Sequence, residues 1–598
     1  MHDWRDRVLG WVLWVVGFVV LAGVALLGIH HLDGHVYDDA FIFSRYAGNL
    51  VAGKGWTFDP GLSTTNGATS PLWTVVLAIA YFFRRDMESN ATLLSAGCLA
   101  GAGLLTFATL RRLVSPMAGA AAAILLVTNP LLVESRGMES TLFVLLVAAV
   151  LFAACVTDRP VATGVLMGLL VLVRPDGAVL VLGVLGYRWW TTRRPPVSMG
   201  VAAALTLVPW LVYSSIALGT PLPGTLAAKM AQGRSAAFGS FGGHFTYIRS
   251  ALHAFRSQRW LQLLGLGAVV GVVLGWRRPP VRPYLVLLVG FAGVLFGLYG
   301  LAIKPPDYLW YYAPQYAVAS VLCGVGIAEA ITVVMDHLRL ALRARRRLVW
   351  SATVVVVVAT MLVGVGSYAR GYPYGGYDAL SAWLRSTTPP NTTVAASAIG
   401  VVGWRSDRTI VDYLGLLSDQ SAREVARGDY RSWIDREQPD LFVAHLSPFV
   451  FEATPMASDW FSRAYTPVAE ITDVPQPSRV RVYRRRRSRE EALASSDGLL
   501  VTATVTEHAF NAGVPLSDAD MTALDALLAV YIGDAQLQAR FEQPDGVDLG
   551  GLLHWALTDA PDEIQTELGP QRAVLADLGA RITAAGGLVS PLAQRLSP

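Results

Sequence analysis

Two adjacent carboxylates, Asp38 and Asp39, stand in the stretch His35-Val36-Tyr37-Asp38-Asp39-Ala40-Phe41, just past the first long apolar run. Crowding two like charges raises one pKa, and a nearby low-dielectric bilayer adds to that, so the pair suits a general base. On spacing alone, a solvated pair capping the helix that begins near Ala40 fits the same residues. Further polar groups are scattered through an otherwise apolar chain. Arg45-Tyr46 and Gly53-Lys54-Gly55-Trp56 follow the pair, and Asn66 and Thr69 lie in Thr65-Asn66-Gly67-Ala68-Thr69-Ser70-Pro71-Leu72-Trp73. Glu139, near Arg136, reads as a site acid or as half of a structural pair. Arg174 reads as an anion-binding cation or as a side chain snorkelling from a helix end, and Lys304 as a similar cation or an interfacial anchor. His244, in the Gly- and Phe-rich loop 238–245, reads as a substrate contact or a structural histidine. Tyr308, Trp310, Tyr311 and Tyr312 form either an aromatic belt at a membrane surface or a platform for a sugar ring or prenyl chain.

The elements that must position these groups are membrane helices. The 598 residues are 53% apolar and only 15% charged, against about 25% charged in soluble domains. A hydrocarbon core of about 30 Å needs about 20 apolar residues per span. Candidate spans run over 8–29, 91–110, 117–133, 141–156, 161–173, 178–190, 197–218, 260–276, 284–303, 313–334 and 349–368. The first is too long for a cleaved leader and is expected to be retained. The block Pro71–Phe83 is too short to cross and reads as interfacial or re-entrant. With that block left out, Arg5, Arg7, Arg111, Arg112, Arg188, Arg193, Arg194, Arg277, Arg278, Arg282 and the run from Arg339 to Arg347 fall on one side. The positive-inside rule makes that side cytoplasmic. Residues 30–90, 134–140, 174–177, 219–259 and 304–312 then share the outer side with everything after about 369.

The segment from Asp38 to Trp73 resembles the membrane-embedded glycosyltransferases of the GT-C superfamily, nearest to actinobacterial arabinofuranosyltransferases that use decaprenyl-phosphate arabinose. Gly137-Met138-Glu139-Ser140, Arg174-Pro175-Asp176-Gly177, Pro221-Leu222-Pro223-Gly224-Thr225 with Lys229, Gly403-Trp404 and Asp412 with Gly415-Leu416 are similar to further family stations. Gly224 departs from the family's Asn. The resemblance covers about residues 8–487. It implies an inverting transfer from a polyprenyl-phosphate sugar donor to a polysaccharide or glycolipid acceptor, with Asp38 or Asp39 as the base. A lipid phosphate needs cations at the interface, and Arg174, Lys229 and Lys304 are the expected donor-binding set. Glu139, Asp176, Arg45, Asn66, Thr69, His244 and Tyr311 are the expected substrate contacts. The resemblance allows a divalent metal, but no ligand set is legible and no other cofactor is implied.

The expected architecture is an α-helical polytopic membrane protein, GT-C-like, with about eleven transmembrane helices over residues 1–368. A C-terminal extracytoplasmic α/β domain follows over 369–487, with a helix at Tyr377–Leu384 and strands at Thr393–Ala396, Thr409–Val411, Leu441–Ala444 and Val480–Tyr483. Residues 488–598, where acidic residues outnumber basic ones, read as a helical or partly disordered tail with breaks at Pro544-Asp545-Gly546 and Gly586-Gly587. No Walker, dinucleotide or His-Glu-x-x-His pattern is present, which removes support for ATP-driven transport, redox chemistry and zinc proteolysis. Nothing points to nucleic acid. The competing readings are a lipid-linked sugar flippase or transporter, and a cell-envelope scaffold. Cys98, Cys155 and Cys323 lie in apolar blocks without ligand spacing.

Overall fold

Apolar runs bounded by Ser, Asp, Asn or Pro become helices in the computed structural model, and the bounding residues cap them. The structure describes residues 2–31, 36–60, 66–221, 223–235, 245–337, 342–367, 375–458, 460–472, 479–494, 514, 516–543, 546–547 and 549–585. The chain divides into two compact units. One holds residues 1–374, 398–406 and 414–426, and the other 375–397, 407–413 and 427–598.

The first unit is helical. Its elements are α1 (His2–His31), α2 (Asp38–Val51), α3 (Pro71–Phe83), α4 (Met87–Leu113), α5 (Pro116–Val127), α6 (Pro130–Glu134), α7 (Ser140–Val156) and α8 (Pro160–Val173). Then come α9 (Ala178–Thr192), α10 (Val197–Ala217), α11 (Gly224–Arg234), α12 (Thr246–Ser257), α13 (Arg259–Trp276) and α14 (Arg282–Gly297), which runs into a π-helical turn, Leu298–Ile303. The helices α15 (Ala313–His337) and α16 (Leu342–Ser367) complete the series. Seven stretches among the described residues are long and apolar enough to cross a bilayer, and α3, α5, α7 and α8 are shorter apolar helices. All eleven segments expected to span are helical. The fold is that of a polytopic membrane protein.

One expected span is interrupted. The 117–133 run breaks after Val127 because Pro130 has no N–H to continue the ladder. Asn129 restarts it, its side-chain oxygen accepting from Leu131 and Leu132 N–H while its amide donates to Ser320 Oγ at 3.0 Å. The 13-residue α3 is about 20 Å long, short of a hydrocarbon core. Ser70 caps α3 by accepting from Trp73 N–H. One face of α3 buries Trp73, Thr74, Leu77 and Ala78, and the other leaves Val75, Ile79, Phe82 and Phe83 exposed.

The second unit carries a five-stranded sheet in the order β2-β1-β3-β5-β4. Its strands are β1 (Thr393–Ala395), β2 (Thr409–Val411), β3 (Leu441–His445), β4 (Tyr465–Ile471) and β5 (Val480–Arg485), with α17 (Gly375–Thr387) preceding β1. β1 pairs in parallel with β2 and β3, whereas β5 is antiparallel to both β3 and β4. The edge strand β4 was not foreseen because Pro467 interrupts its pattern. Pro467 sits where the register shifts, a position that needs no ladder donor. Residues 514–582 bury Leu524, Leu527, Leu552, Trp555, Leu575, Leu578 and Ile582 in one apolar core, so this part of the expected tail is a packed helical module. Residues 544, 545, 586 and 587, where helix breaks were expected, lie outside the described residues.

Trp73 is fully buried and its indole N–H donates to Gly137 O at 2.8 Å, joining α3 to the turn before α7. Trp73→Ala is expected to destabilise the protein by about 3–5 kcal/mol, read as a fall in thermal midpoint in detergent. Phe83→Ala, at an 82% exposed position, is expected to leave that midpoint nearly unchanged.

Candidate active site

The Asp38-Asp39 pair occupies the first turn of α2, where the helix dipole favours negative charge. The two carboxylates take different partners. Asp38 Oδ1 accepts from Val401 N–H at 2.8 Å, at the start of α18 (Ile399–Ser406), a helix of the same unit as α2. Gly400 allows this approach, since a Cβ there would overlap the Asp38 carbonyl. Burial, and next the charge of Asp39, push the Asp38 carboxyl up to about 7. The Val401 and Gly400 N–H groups and Lys229 pull the other way without cancelling the rise.

Asp39 faces Lys229, with Oδ2 3.2 Å from Nζ and the lysine side chain 8% exposed. Burial alone would depress the ammonium pKa, but Asp39 and neighbouring tyrosine hydroxyls reverse that and raise it. The ammonium also lies 4.1 Å from the Tyr308 ring centre and 5.9 Å from that of Trp310, two rings stacked 4.7 Å apart. Lys229 is carried by α11, which several bonds tie down. Gly224 N–H donates to Asn66 O at 3.1 Å, and Gln232 Nε2 donates to Leu414 O at 2.9 Å.

Arg174 gathers a second set of charges. Its guanidinium donates to Asp176 at 3.0–3.3 Å, to Glu139 Oε1 at 3.1 Å and to the Tyr299 hydroxyl at 2.7 Å. Tyr299 in turn donates to Asp176. Burial works against the Arg174 charge, but Asp176, Tyr299 and Glu139 outweigh it and strengthen the protonated form. Glu139 is pushed up, chiefly by burial, despite Arg174. Its second oxygen, Oε2, is buried without a hydrogen-bond partner. Asp38 and Glu139 are thus both shifted toward their neutral forms, chiefly by burial.

The two clusters border one cavity of about 270 Å³. Asp39, Arg174, Asp176, Lys229, Thr69, Thr225, Tyr299 and Tyr311 supply polar atoms to its wall, and Ile42, Phe43, Leu226, Leu298, Ile303, Trp310 and Leu416 supply apolar surface. A charged end and an apolar wall in one chamber fit a ligand that is itself amphipathic.

Five of the expected residues beyond the base pair therefore line the cavity: Arg174, Asp176, Lys229, Thr69 and Tyr311. Asp39 lines it too, while Asp38 turns to α18. Glu139 and Asn66 are buried beside lining residues, and both atoms of the Asn66 amide lack partners. Arg45 is placed elsewhere. Buried at 7% exposure, it pairs with Asp59 and donates to Phe58 O at 2.9 Å and to Gly403 O, so it braces α2 against α18. The Lys304 ammonium lies 5.6 Å from the Phe245 ring centre and is not part of the cavity wall. His244 lies outside the described residues. Sequence reasoning placed Thr225 in a family station without giving it a role, and missed Tyr299. Thr225 had a usable signal, since it precedes Lys229 by one helical turn; Tyr299, inside an apolar run, had none. No group of three or more His, Cys, Asp or Glu among the described residues converges as a metal site, and no step below passes through a metal.

The architecture recurs in solved structures. The chain is similar to ArnT from Cupriavidus metallidurans in the apo state, at 16% identity over 79% of this chain and 98% of that one, with a TM-score of 0.51. ArnT bound to undecaprenyl phosphate matches at 16% identity over 79% and 97%, TM-score 0.49. The Archaeoglobus fulgidus oligosaccharyltransferase tethered with an acceptor peptide matches at 14% identity over 79% and 74%, TM-score 0.48. Residues 367–487 match a family model described as a domain of unknown function (DUF8728), and no curated protein matches the chain. What the chain shares with apo ArnT is its fold, a GT-C-like membrane architecture.

Proposed function

We propose that the chain is an inverting membrane glycosyltransferase that moves a sugar from a polyprenyl-phosphate carrier to a hydroxyl group of a cell-envelope glycan. The observation that carries this reading is the cavity in which a carboxylate, a buried ammonium and an apolar wall meet. The apolar side suits the prenyl chain next to the phosphate, and Lys229 suits the phosphate itself. ArnT, whose fold the chain shares, is a protein crystallised with undecaprenyl phosphate. The donor sugar in this reading is a pentofuranose such as arabinofuranose, as the sequence resemblance implies. Residues 1–368 form the catalytic membrane domain. The cavity, residues 369–487 and the acidic extension 488–598 face outward from the cytoplasmic membrane, following the charge asymmetry of the loops.

Asp39 is assigned as the base because it lines the cavity, whereas Asp38 is turned to the Val401 N–H. The acceptor oxygen forms a bond to the anomeric carbon from the face opposite the phosphate. The bond from that carbon to the phosphate oxygen breaks, and the acceptor proton passes to Asp39. The released polyprenyl phosphate carries the additional negative charge, which Lys229 stabilises as it develops. Arg174 has donors committed to Glu139, Asp176 and Tyr299. It holds Asp176 on the cavity wall, where that carboxylate can accept from a sugar hydroxyl. Asp38 is a positioning residue that ties the first turn of α2 to the Val401 N–H.

The direct test supplies purified protein with a panel of polyprenyl-phosphate sugars and glycan acceptors and identifies products by mass. A new glycosidic product is expected. Movement of the lipid-linked sugar across liposomes with no product would replace the reading with a transporter. Asp39→Asn is expected to lower transfer by about 10²–10⁴-fold, the usual weight of general-base catalysis, and to lower the thermal midpoint as well, because it leaves the buried Lys229 without its carboxylate. Inactivity of Asp38→Asn together with full activity of Asp39→Asn would exchange the two roles.

The raised pKa of Asp38 sets a pH dependence. Below about 7 Asp38 is protonated; above that value it adds a negative charge beside Asp39. The kcat/KM for transfer is therefore expected to climb as pH rises through about 7. In Asp38→Asn that limb disappears and the rate stays on the lower plateau. A pH profile of the two proteins checks this.

A further inference from the structure

We propose that the first turn of α11 is the seat of the lipid phosphate, with the Thr225 hydroxyl donating to a phosphate oxygen beside the Lys229 ammonium. The inference rests on the transferase reading above and adds the part of the site that recognises the leaving group. Thr225 and Lys229 are four residues apart on one helix, so they share a face, and both line the cavity. Thr225 is 4% exposed, and its Oγ1 has no hydrogen-bond partner. A buried hydroxyl left unpaired is costly, and its retention next to a cavity points to a ligand that pairs it. The first turn of α11 borders the cavity through Pro223, Thr225 and Leu226. A helix start adds partial positive charge to the ammonium one turn away.

The other polar groups at this turn are already placed. Gly224 N–H donates to Asn66 O and Leu226 N–H to Pro223 O. Asp419, in α19 (Asp419–Ala426) of the same unit, is exposed and stands against Gly224. A Cβ at Gly224 would lie 2.9 Å from Asp419 Oδ1. Thr225 lines the cavity, and its hydroxyl is buried with no partner.

The chemistry recognised is a phosphate monoester dianion, the form in which the carrier leaves. Free phosphate presents the same oxygens without the chain. The test titrates the full-length protein in nanodiscs with undecaprenyl phosphate and, separately, with inorganic phosphate. It compares the wild type with Thr225→Val, Thr225→Ala and Thr225→Ser, each first matched for thermal midpoint. Wild type and Thr225→Ser are expected to bind the lipid alike. The two variants lacking the hydroxyl are expected to bind it at least about tenfold more weakly, as for one hydrogen bond to a charged group. Unchanged lipid affinity in both Thr225→Val and Thr225→Ala would overturn the inference and leave the transferase reading standing. No lipid binding by the wild type would overturn both. Thr225-dependent binding of inorganic phosphate as tight as that of the lipid would overturn the assignment to a lipid carrier.

Discussion

An ammonium buried to 8% exposure persists only beside a carboxylate, and the Lys229–Asp39 pair meets that requirement within the first unit. Removing either partner from such a pair costs about 3–5 kcal/mol because the remaining charge is left unpaired. The pair therefore fixes the distance between the first turn of α2 and the middle of α11. The surrounding bonds hold the same distance from other directions. Arg45 braces α2 against Gly403, Asp38 accepts from Val401, and α11 is tied to Asn66 and Leu414. A mobile pair would quench itself in water. A held one keeps a carboxylate and a cation facing the same chamber, where an entering phosphate competes for the ammonium.

The Arg174 cluster completes the electrostatics. Two carboxylates and one guanidinium would carry net negative charge into an apolar wall, yet burial pushes Glu139 toward its neutral form. Asp38, pushed up to about 7 by burial and by Asp39, is shifted in the same direction. Of the unpaired polar atoms on Thr225, Asn66 and Glu139, the one on a cavity-lining residue is the Thr225 hydroxyl, where a polar ligand gains a hydrogen bond that the protein has left unmade.

Much of the membrane architecture was legible because its cause is local. Long apolar runs leave a backbone in lipid no option but the helix, and every segment expected to span is helical. The break at Asn129-Pro130 was also local and could have been read from the missing proline N–H. The site divides along the same line. The Arg174–Asp176 contact spans two residues and follows from the turn. Tyr299, which reaches Arg174 across 125 residues, and Val401, which reaches Asp38 across 363, are products of the fold alone. Arg45 and Arg174 looked alike as cations near polar segments. One braces α2 while the other lines a cavity, because the carboxylate that neutralises each is chosen by packing.

Density for a bound polyprenyl phosphate in the full-length protein tests the central claim most directly. The account predicts the phosphate in the cavity, with one of its oxygens accepting a hydrogen bond from Lys229 Nζ, and Asp39 Oδ2 released or lengthened from its 3.2 Å contact. A phosphate bound outside that cavity, with the Asp39–Lys229 contact intact, would contradict it.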